Sequence, residues 1–308
     1  MTLITGHHHI SMYTKDAREN KQFYTEVLGL RLIEKSVNQD NPSMYHLFYG
    51  DETGAPGTLL TFFEMKMLGK HHSGTNSIER LVLLVPNEAA LGYFKERLNE
   101  NQVETEAITY LRQQALAFED PDGLKLILMV NGDNAVPNAW HANPYTDVPQ
   151  EFQILGMGPV ELHLRNLQPT IDFLTNTLGY HAHFGDDNVY TLNPNGRYTD
   201  FVLVEEQGKS VKPGRGYVHH IAVSVPTDEA LETLLDKLEQ LPGSTSGIID
   251  RYFFKSIYYR NNKILYEFAT ETPGFTVDTD VKDLGSKLAL PDFLEHKREQ
   301  IESQLEEI

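Results

Sequence analysis

The stretch Gly216-Tyr217-Val218-His219-His220-Ile221-Ala222-Val223-Ser224-Val225-Pro226 decides how this chain is read. A close counterpart opens the sequence as His7-His8-His9-Ile10-Ser11-Met12-Tyr13. In both, a histidine stands directly before an apolar, alternating run, the pattern of a half-buried β-strand. Each strand therefore begins with an imidazole at the mouth of whatever it lines. A third strand-like run, Lys263-Ile264-Leu265-Tyr266-Glu267-Phe268-Ala269-Thr270, carries one carboxylate among apolar neighbours. A carboxylate in such a strand is costly to bury unless it is paired or metal-bound. Two imidazoles and one carboxylate from three strands make a facial triad, a set that suits Fe(II) and leaves coordination positions open.

Internal repeats place these runs in a larger frame. Phe23-Tyr24-Thr25-Glu26-Val27-Leu28-Gly29 recurs as Phe173-Leu174-Thr175-Asn176-Thr177-Leu178-Gly179, each a helix ending in a glycine suited to a left-handed turn. Arg80-Leu81-Val82-Leu83-Leu84-Val85-Pro86 recurs as His220-Ile221-Ala222-Val223-Ser224-Val225-Pro226. An amphipathic helix follows each, with Ala90, Leu91, Phe94 and Leu98 matching Ala230, Leu231, Leu234 and Leu238. The same offset carries Ile127 onto Glu267. The chain thus reads as four strand–helix–strands modules, roughly 4–66, 76–131, 156–206 and 214–270, joined by Pro- and Gly-containing connectors. Modules one and four carry His9 and His220 at the strand start, where module two has Arg80 and module three Pro159. A metal site would then lie between the first and last quarters of the chain, which must pack together. Arg80 and Ile127 read as relics of a lost site. Beyond the fourth module, a last helix starts near Leu290-Pro291-Asp292, with Phe293, Ile301 and Leu305 as its apolar contacts.

Composition narrows the chemistry. A chain of 308 residues suggests about two domains. There is no cysteine, so disulfides, iron–sulfur clusters and thiolate zinc sites are excluded. Any metal must be held by His, Asp or Glu. A net charge of −18 argues against nucleic acid as a partner. No run is long and apolar enough to span a bilayer, and no signal-peptide pattern is present, so a cytoplasmic location without a membrane partner is expected. No glycine-rich phosphate loop or Gly-x-Ser-x-Gly elbow is present, which leaves nucleotide cofactors and serine hydrolysis unsupported.

The βαβββ repeat, with His before an apolar strand and Glu in a closing strand, resembles the vicinal oxygen chelate (glyoxalase/bleomycin resistance/dioxygenase) superfamily across the whole chain. Within it, several stretches resemble the two-domain Fe(II) ring-cleaving dioxygenases that act on hydroquinones. They are His8-His9-Ile10, Asn41-Pro42-Ser43-Met44-Tyr45-His46, Gly50-Asp51-Glu52-Thr53-Gly54-Ala55-Pro56-Gly57-Thr58, Val218-His219-His220-Ile221-Ala222, Ser256-Ile257-Tyr258-Tyr259 and Tyr266-Glu267-Phe268-Ala269-Thr270. The resemblance implies an α+β fold whose four βαβββ modules form two half-barrel domains, 1–150 and 151–308, the second with a C-terminal helix. It implies mononuclear Fe(II), with Mn(II) as the alternative metal, held by His9, His220 and Glu267. It implies O2 and a small aromatic diol as substrates; a homo-oligomer stays open. The register also leaves His8 and His219 open as ligands, with preference for the residue directly before the isoleucine.

Around the triad, His8 and His219 are candidates for moving a substrate proton or steadying bound oxygen, although strict alternation turns them away from His9 and His220. Solvation at a strand mouth is the plain alternative for His8. Arg251 and Tyr258, expected on the strand before Glu267, can stabilise phenolate charge; a surface ion pair and core packing are their plain alternatives. Ser11 shares the face of His9 and can hydrogen-bond there, or simply pack. His46, His71, His72, His141, His163, His181 and His183 read as solvated or structural. Two rival functions remain. A glyoxalase-type Zn or Ni isomerase or thiol transferase needs a fourth protein ligand, for which Glu64 is the candidate. A metal-free binding protein of the same fold has no need for the triad.

Overall fold

Alternating runs and the turn residues between them build the strands β1 (Gly6–Thr14), β2 (Arg31–Asn38), β3 (Asn41–Gly50), β4 (Leu59–Glu64), β5 (Ser77–Val85), β6 (Thr105–Tyr110), β7 (Gln113–Glu119) and β8 (Lys125–Val130). The second half of the chain adds β9 (Gly156–Leu164), β10 (His181–Ala182), β11 (Val189–Thr191), β12 (Phe201–Glu205), β13 (Val218–Val225), β14 (Ile249–Asp250), β15 (Lys255–Asn261) and β16 (Ile264–Thr270). The structure is a computed structural model that describes residues 3–39 and 41–308. Met1, Thr2 and Asp40 lie outside the described residues.

The strands form two eight-stranded sheets, ordered β14-β15-β16-β13-β1-β4-β3-β2 and β10-β11-β12-β9-β5-β8-β7-β6. The first unites modules one and four, and the second unites modules two and three, so each sheet draws on both halves of the sequence. Strand β1 runs antiparallel to β13 at the seam of the first sheet, and β5 antiparallel to β9 at the seam of the second. This is the α+β, two-half-barrel arrangement that the resemblance implies.

Helices cover the outer faces. Asp16 caps α1 (Ala17–Gln22) by accepting hydrogen bonds from the Arg18 and Glu19 amides at 2.9 and 3.0 Å. The helix widens into a π-turn at Phe23–Val27, and Gly29 then adopts φ +75°, where a Cβ would meet Val148 at 2.5 Å. Asn87 and Thr227 cap α2 (Glu88–Glu100) and α4 (Asp228–Leu238), with the short α3 (Gln168–Asp172) between them. Helix α2 buries Ala90, Phe94 and Leu98, and α4 buries Ala230, Leu231, Leu234 and Leu238. These side chains join one core cluster with Ile10, Met12, Leu81 and Ile221 from the undersides of both seams.

The C-terminal segment closes the first sheet. Leu288 bridges to Lys35 on the edge strand β2, and the Ala289 amide donates to the Lys35 carbonyl at 2.8 Å. Such cover removes an exposed sheet edge. The last helix arrives as two short pieces, α5 (Asp292–Glu295) and α6 (Arg298–Glu302), that bury Leu294 and Ile301. Phe293, expected to pack inward, is 58% exposed. The piece is a single turn, and its phase turns Leu294 to the core instead.

Candidate metal centre

The β1–β13 seam slips register twice, between His7 and His9 and between Ser11 and Met12. Each slip inserts one extra residue, His8 on β1 and His219 on β13, and a bulge of this kind re-aims side chains. Strict alternation therefore fails here. The Nδ1 atoms of His8 and His9 lie 3.0 Å apart, and those of His219 and His220 lie 2.8 Å apart.

Beyond these pairs the donor atoms converge. His9 Nε2 is 3.1 Å and His220 Nε2 is 2.8 Å from Glu267 Oε2, and the two nitrogens are 3.4 Å apart. All three side chains are buried. Among the described residues, this is the only group of three metal-capable side chains whose donor atoms lie within 4.8 Å of one another. Parallel pairing of β13 with β16 sets Glu267 beside Ala222, two residues from His220, which explains why the carboxylate reaches the seam. Ser256 Oγ donates to the other carboxylate oxygen, Glu267 Oε1, at 2.5 Å.

The hydrogen bonds behind the triad test whether it suits a cation. The Thr270 carbonyl, 3.2 Å from His8 Nε2, can only accept, so His8 carries its proton on Nε2. Burial lowers the His8 pKa to about 3, so its ring is neutral and its Nδ1 accepts from His9 Nδ1–H. With the His9 proton held on Nδ1, Nε2 is the atom whose lone pair a bound cation would take. Burial pushes the Glu267 carboxyl up, but His9 and His220 outweigh it and hold the pKa well below the ordinary range. Burial also lowers the His220 pKa, against the pull of Glu267. Two imidazole nitrogens and one carboxylate oxygen converging in a buried site are the donor types a divalent cation takes. The donor set fits a divalent cation.

A cavity of about 420 Å³ opens in front of the triad, lined by alternating residues of β1 through β4 and by β13, β15 and β16. Ser11 lines it, with Oγ 2.7 Å from Thr61 Oγ1. His219 lines it too, whereas His8 does not; it is held behind His9. Tyr258 pairs with Glu267 across β15 and β16 and faces the cavity. Arg251 faces the cavity as well, but it sits in the turn between β14 and β15, not on a strand with Tyr258. Two turn features explain this: the Arg251 amide donates to the Phe254 carbonyl at 2.9 Å, and Tyr252 adopts φ 76°. The guanidinium carbon lies 5.3 Å from the Tyr258 ring centre, and its Nε is buried without a partner.

Three residues escaped the sequence reading. His46, read as solvated or structural, is a cavity-wall group whose ring stacks on Phe63 at 4.0 Å and whose Nε2 lies 3.3 Å from Thr61 Oγ1. Ser256 left no signal stronger than a small residue in a strand. Glu34 did: it is a carboxylate in an apolar run, as Glu267 is, but the neighbouring Lys35 makes the pair look like a surface. Glu64, conversely, leaves the site. Phe63 on β4 and Met65 just after it line the cavity, so Glu64 between them points the other way and accepts from the Ala17 amide at 3.1 Å.

The pattern of the Glyoxalase/Bleomycin resistance protein/Dioxygenase superfamily matches residues 6–128 and 156–278, and the chain belongs to this superfamily. It is 41% identical to the Bacillus subtilis (strain 168) protein named "Putative ring-cleaving dioxygenase MhqA", covering 99% of both chains. It is 28% identical to the chlorohydroquinone/hydroquinone 1,2-dioxygenase of Sphingobium indicum, covering 97% of this chain and 95% of that one. The crystal structure of a "putative dioxygenase" from Bacillus subtilis superposes with a TM-score of 0.90 at 30% identity, covering 100% of this chain and 98% of that one. Full-length similarity to proteins so named supports a dioxygenase.

Proposed function

We propose that this protein is a non-haem Fe(II)-dependent dioxygenase that uses O2 to open a dihydroxylated aromatic ring, of hydroquinone rather than catechol type. The observation that carries the proposal is the convergence of His9, His220 and Glu267 on one point in the wall of the 420 Å³ cavity. The relative named for hydroquinone supports the substrate class. In this reading those three residues hold the metal, with Mn(II) as the alternative. Iron held this way supplies open coordination positions and electrons through which an aromatic ring and O2 react. The sequence halves 1–150 and 151–308 are the duplicated domains.

The chain's own residues divide the remaining work. Ser256 fixes the Glu267 carboxylate, leaving Oε2 for the metal. His8, anchored on the Thr270 carbonyl, keeps the His9 proton on Nδ1. With a metal on His220 Nε2, the His220 proton sits on Nδ1 and donates to His219 Nδ1, so His219 would present an Nε2–H to the cavity. It therefore steadies negative charge on a bound oxygen and is not set up to take a phenol's proton. Burial and the Glu267 charge push the Tyr258 phenol up, so it stays a neutral donor. Arg251 supplies fixed positive charge for a phenolate, and Ser11 with Thr61 orients groups at the floor. The glyoxalase-type rival loses support because Glu64 serves the start of α1. The metal-free binder loses support because it has no use for three buried metal-capable side chains that converge on one point.

The test is O2 uptake by anaerobically Fe(II)-loaded protein given hydroquinone, methylhydroquinone and catechol in parallel. Substrate-dependent uptake with loss of aromatic absorbance is expected, fastest with the hydroquinones. No uptake with iron bound would refute the proposal.

A further inference from the structure

Glu34 is a carboxyl that neither the fold nor the triad uses. It pairs with Phe48, Phe48 with Thr61, Thr61 with Ser11, and Ser11 with His220. This is one row across five strands, all on the concave face. Four strand spacings separate Glu34 from His220, about 19 Å along the sheet. The sheet curves enough that both ends line the same cavity. Glu34 therefore stands at the opposite wall from the triad, with Phe48 between and Phe253 and Phe254 also lining the space.

The side chain is 5% exposed, and its Oε1 has no hydrogen-bond partner. Buried side-chain oxygens are nearly always paired, so one aimed into a cavity wall asks for a ligand. No cation among the described residues pairs with it. Arg251 lies over Tyr258 and donates to Gln39 Oε1 at 3.4 Å. The charged group that does act on Glu34 is Asp278, itself bound by the Tyr252 hydroxyl. Burial first, and then Asp278, raise the Glu34 pKa to about 8. At neutral pH it is a carboxylic acid, with one O–H to donate and oxygens to accept. A phenolic hydroxyl offers the same two valences.

We infer that Glu34 recognises the ring hydroxyl farthest from the metal triad, so the cavity selects 1,4-diols over rings that lack a hydroxyl there. This rests on the ring-diol reading above. Of the ring diols anchored at the triad by one oxygen, the 1,4-isomer is the one whose second hydroxyl reaches farthest across the cavity that Glu34 also lines. A hydroxyl there satisfies the carboxyl, while a C–H leaves it unpaired, and a site built to bond a hydroxyl discriminates strongly against the analogue without it.

The experiment is equilibrium binding under argon of hydroquinone and of phenol to Fe(II)-loaded protein, for wild type, Glu34→Gln and Glu34→Leu, with iron content measured in each. Wild type binds hydroquinone about tenfold or more tighter than phenol. Glu34→Gln, which keeps a donor and an acceptor, retains that preference. Glu34→Leu keeps its iron and loses the preference; Glu34→Met replaces it if Leu impairs folding. A preference that survives in the apolar variants overturns the assignment of Glu34 alone. Wild type that holds iron and binds no ring diol overturns the ring-diol reading together with it.

Discussion

The Glu34 carboxyl makes stability depend on pH in a way one substitution removes. Its folded pKa of about 8 stands against an ordinary 4.5. Between those values the folded protein holds a proton that the unfolded chain has released. Native protein thus binds more protons, and stability must fall as pH rises. The loss begins above pH 4.5 and is complete past about pH 8. At 1.36 kcal/mol per unit, a difference of about 3.5 units corresponds to about 5 kcal/mol. Glu34→Gln keeps the shape and cannot ionise. At pH 5 the variant and wild type are expected to unfold at urea midpoints corresponding to less than about 1 kcal/mol of difference. At pH 9 the variant is expected to be the more stable by about 5 kcal/mol. Both proteins are measured with chelator, so that metal binding adds nothing. Asp120, whose pKa burial raises to about 7, contributes the same slope to both and cancels. A difference that stays the same at pH 5 and pH 9 would mean that the carboxyl is ionised or solvated in the native state, and would refute the reasoning.

Other perturbations probe the triad and the core. His220→Ala is expected to abolish metal retention and turnover, with near-native thermal unfolding, because the second sheet takes no residue from the triad; metal analysis and calorimetry check this. Ser256→Ala removes the group that holds Glu267 Oε1 and should weaken metal affinity by about tenfold to a hundredfold, measured by competition with a chelator. Phe94→Ala empties a fully buried site on α2 and should cost about 3–5 kcal/mol in urea unfolding while leaving metal stoichiometry intact. Glu64→Gln should leave metal binding unchanged and cost at most about 1 kcal/mol of stability at the start of α1.

The repeats made the fold legible because each module carries its own evidence of phase. Phe23 and Phe173 mark the same turn, Gly29 and Gly179 take the same left-handed φ, and Pro86 and Pro226 follow the same strand end. The offset that carries Arg80 onto His220 also identified which quarters would share a sheet. Side-chain direction was less legible wherever the period broke. His8 and His219 were assigned by alternation, and alternation fails at a bulge, which leaves no mark in a short apolar strand. Arg251 was misplaced because Arg251-Tyr252-Phe253-Phe254 has a strand's composition but folds as a turn. Glu34 was legible by the argument that found Glu267, yet it lacked a repeat partner to separate it from the charged residue beside it.

The two sheets solve one electrostatic problem in different ways. In the second, Glu161 occupies the position of Ser11 at the seam and is also buried. Arg80 Nε lies 3.6 Å from it, His163 Nε2 2.7 Å and the Tyr110 hydroxyl 2.8 Å. Burial opposes charge on His163, but Glu161 and Glu206 outweigh it and raise its pKa. Glu161 is therefore neutralised from within by cations the sequence supplies. In the first sheet, the partners of Glu267 are the imidazoles of His9 and His220, each backed at Nδ1 by a second histidine. Among the described residues no lysine or arginine pairs with that carboxylate, and its three converging donors are ones a metal can take. Arg80 is thus more than the residue of a lost site: by satisfying the seam internally it removes the need for a metal in that half. The corresponding histidine, His220, puts a metal-capable donor at that position in the other.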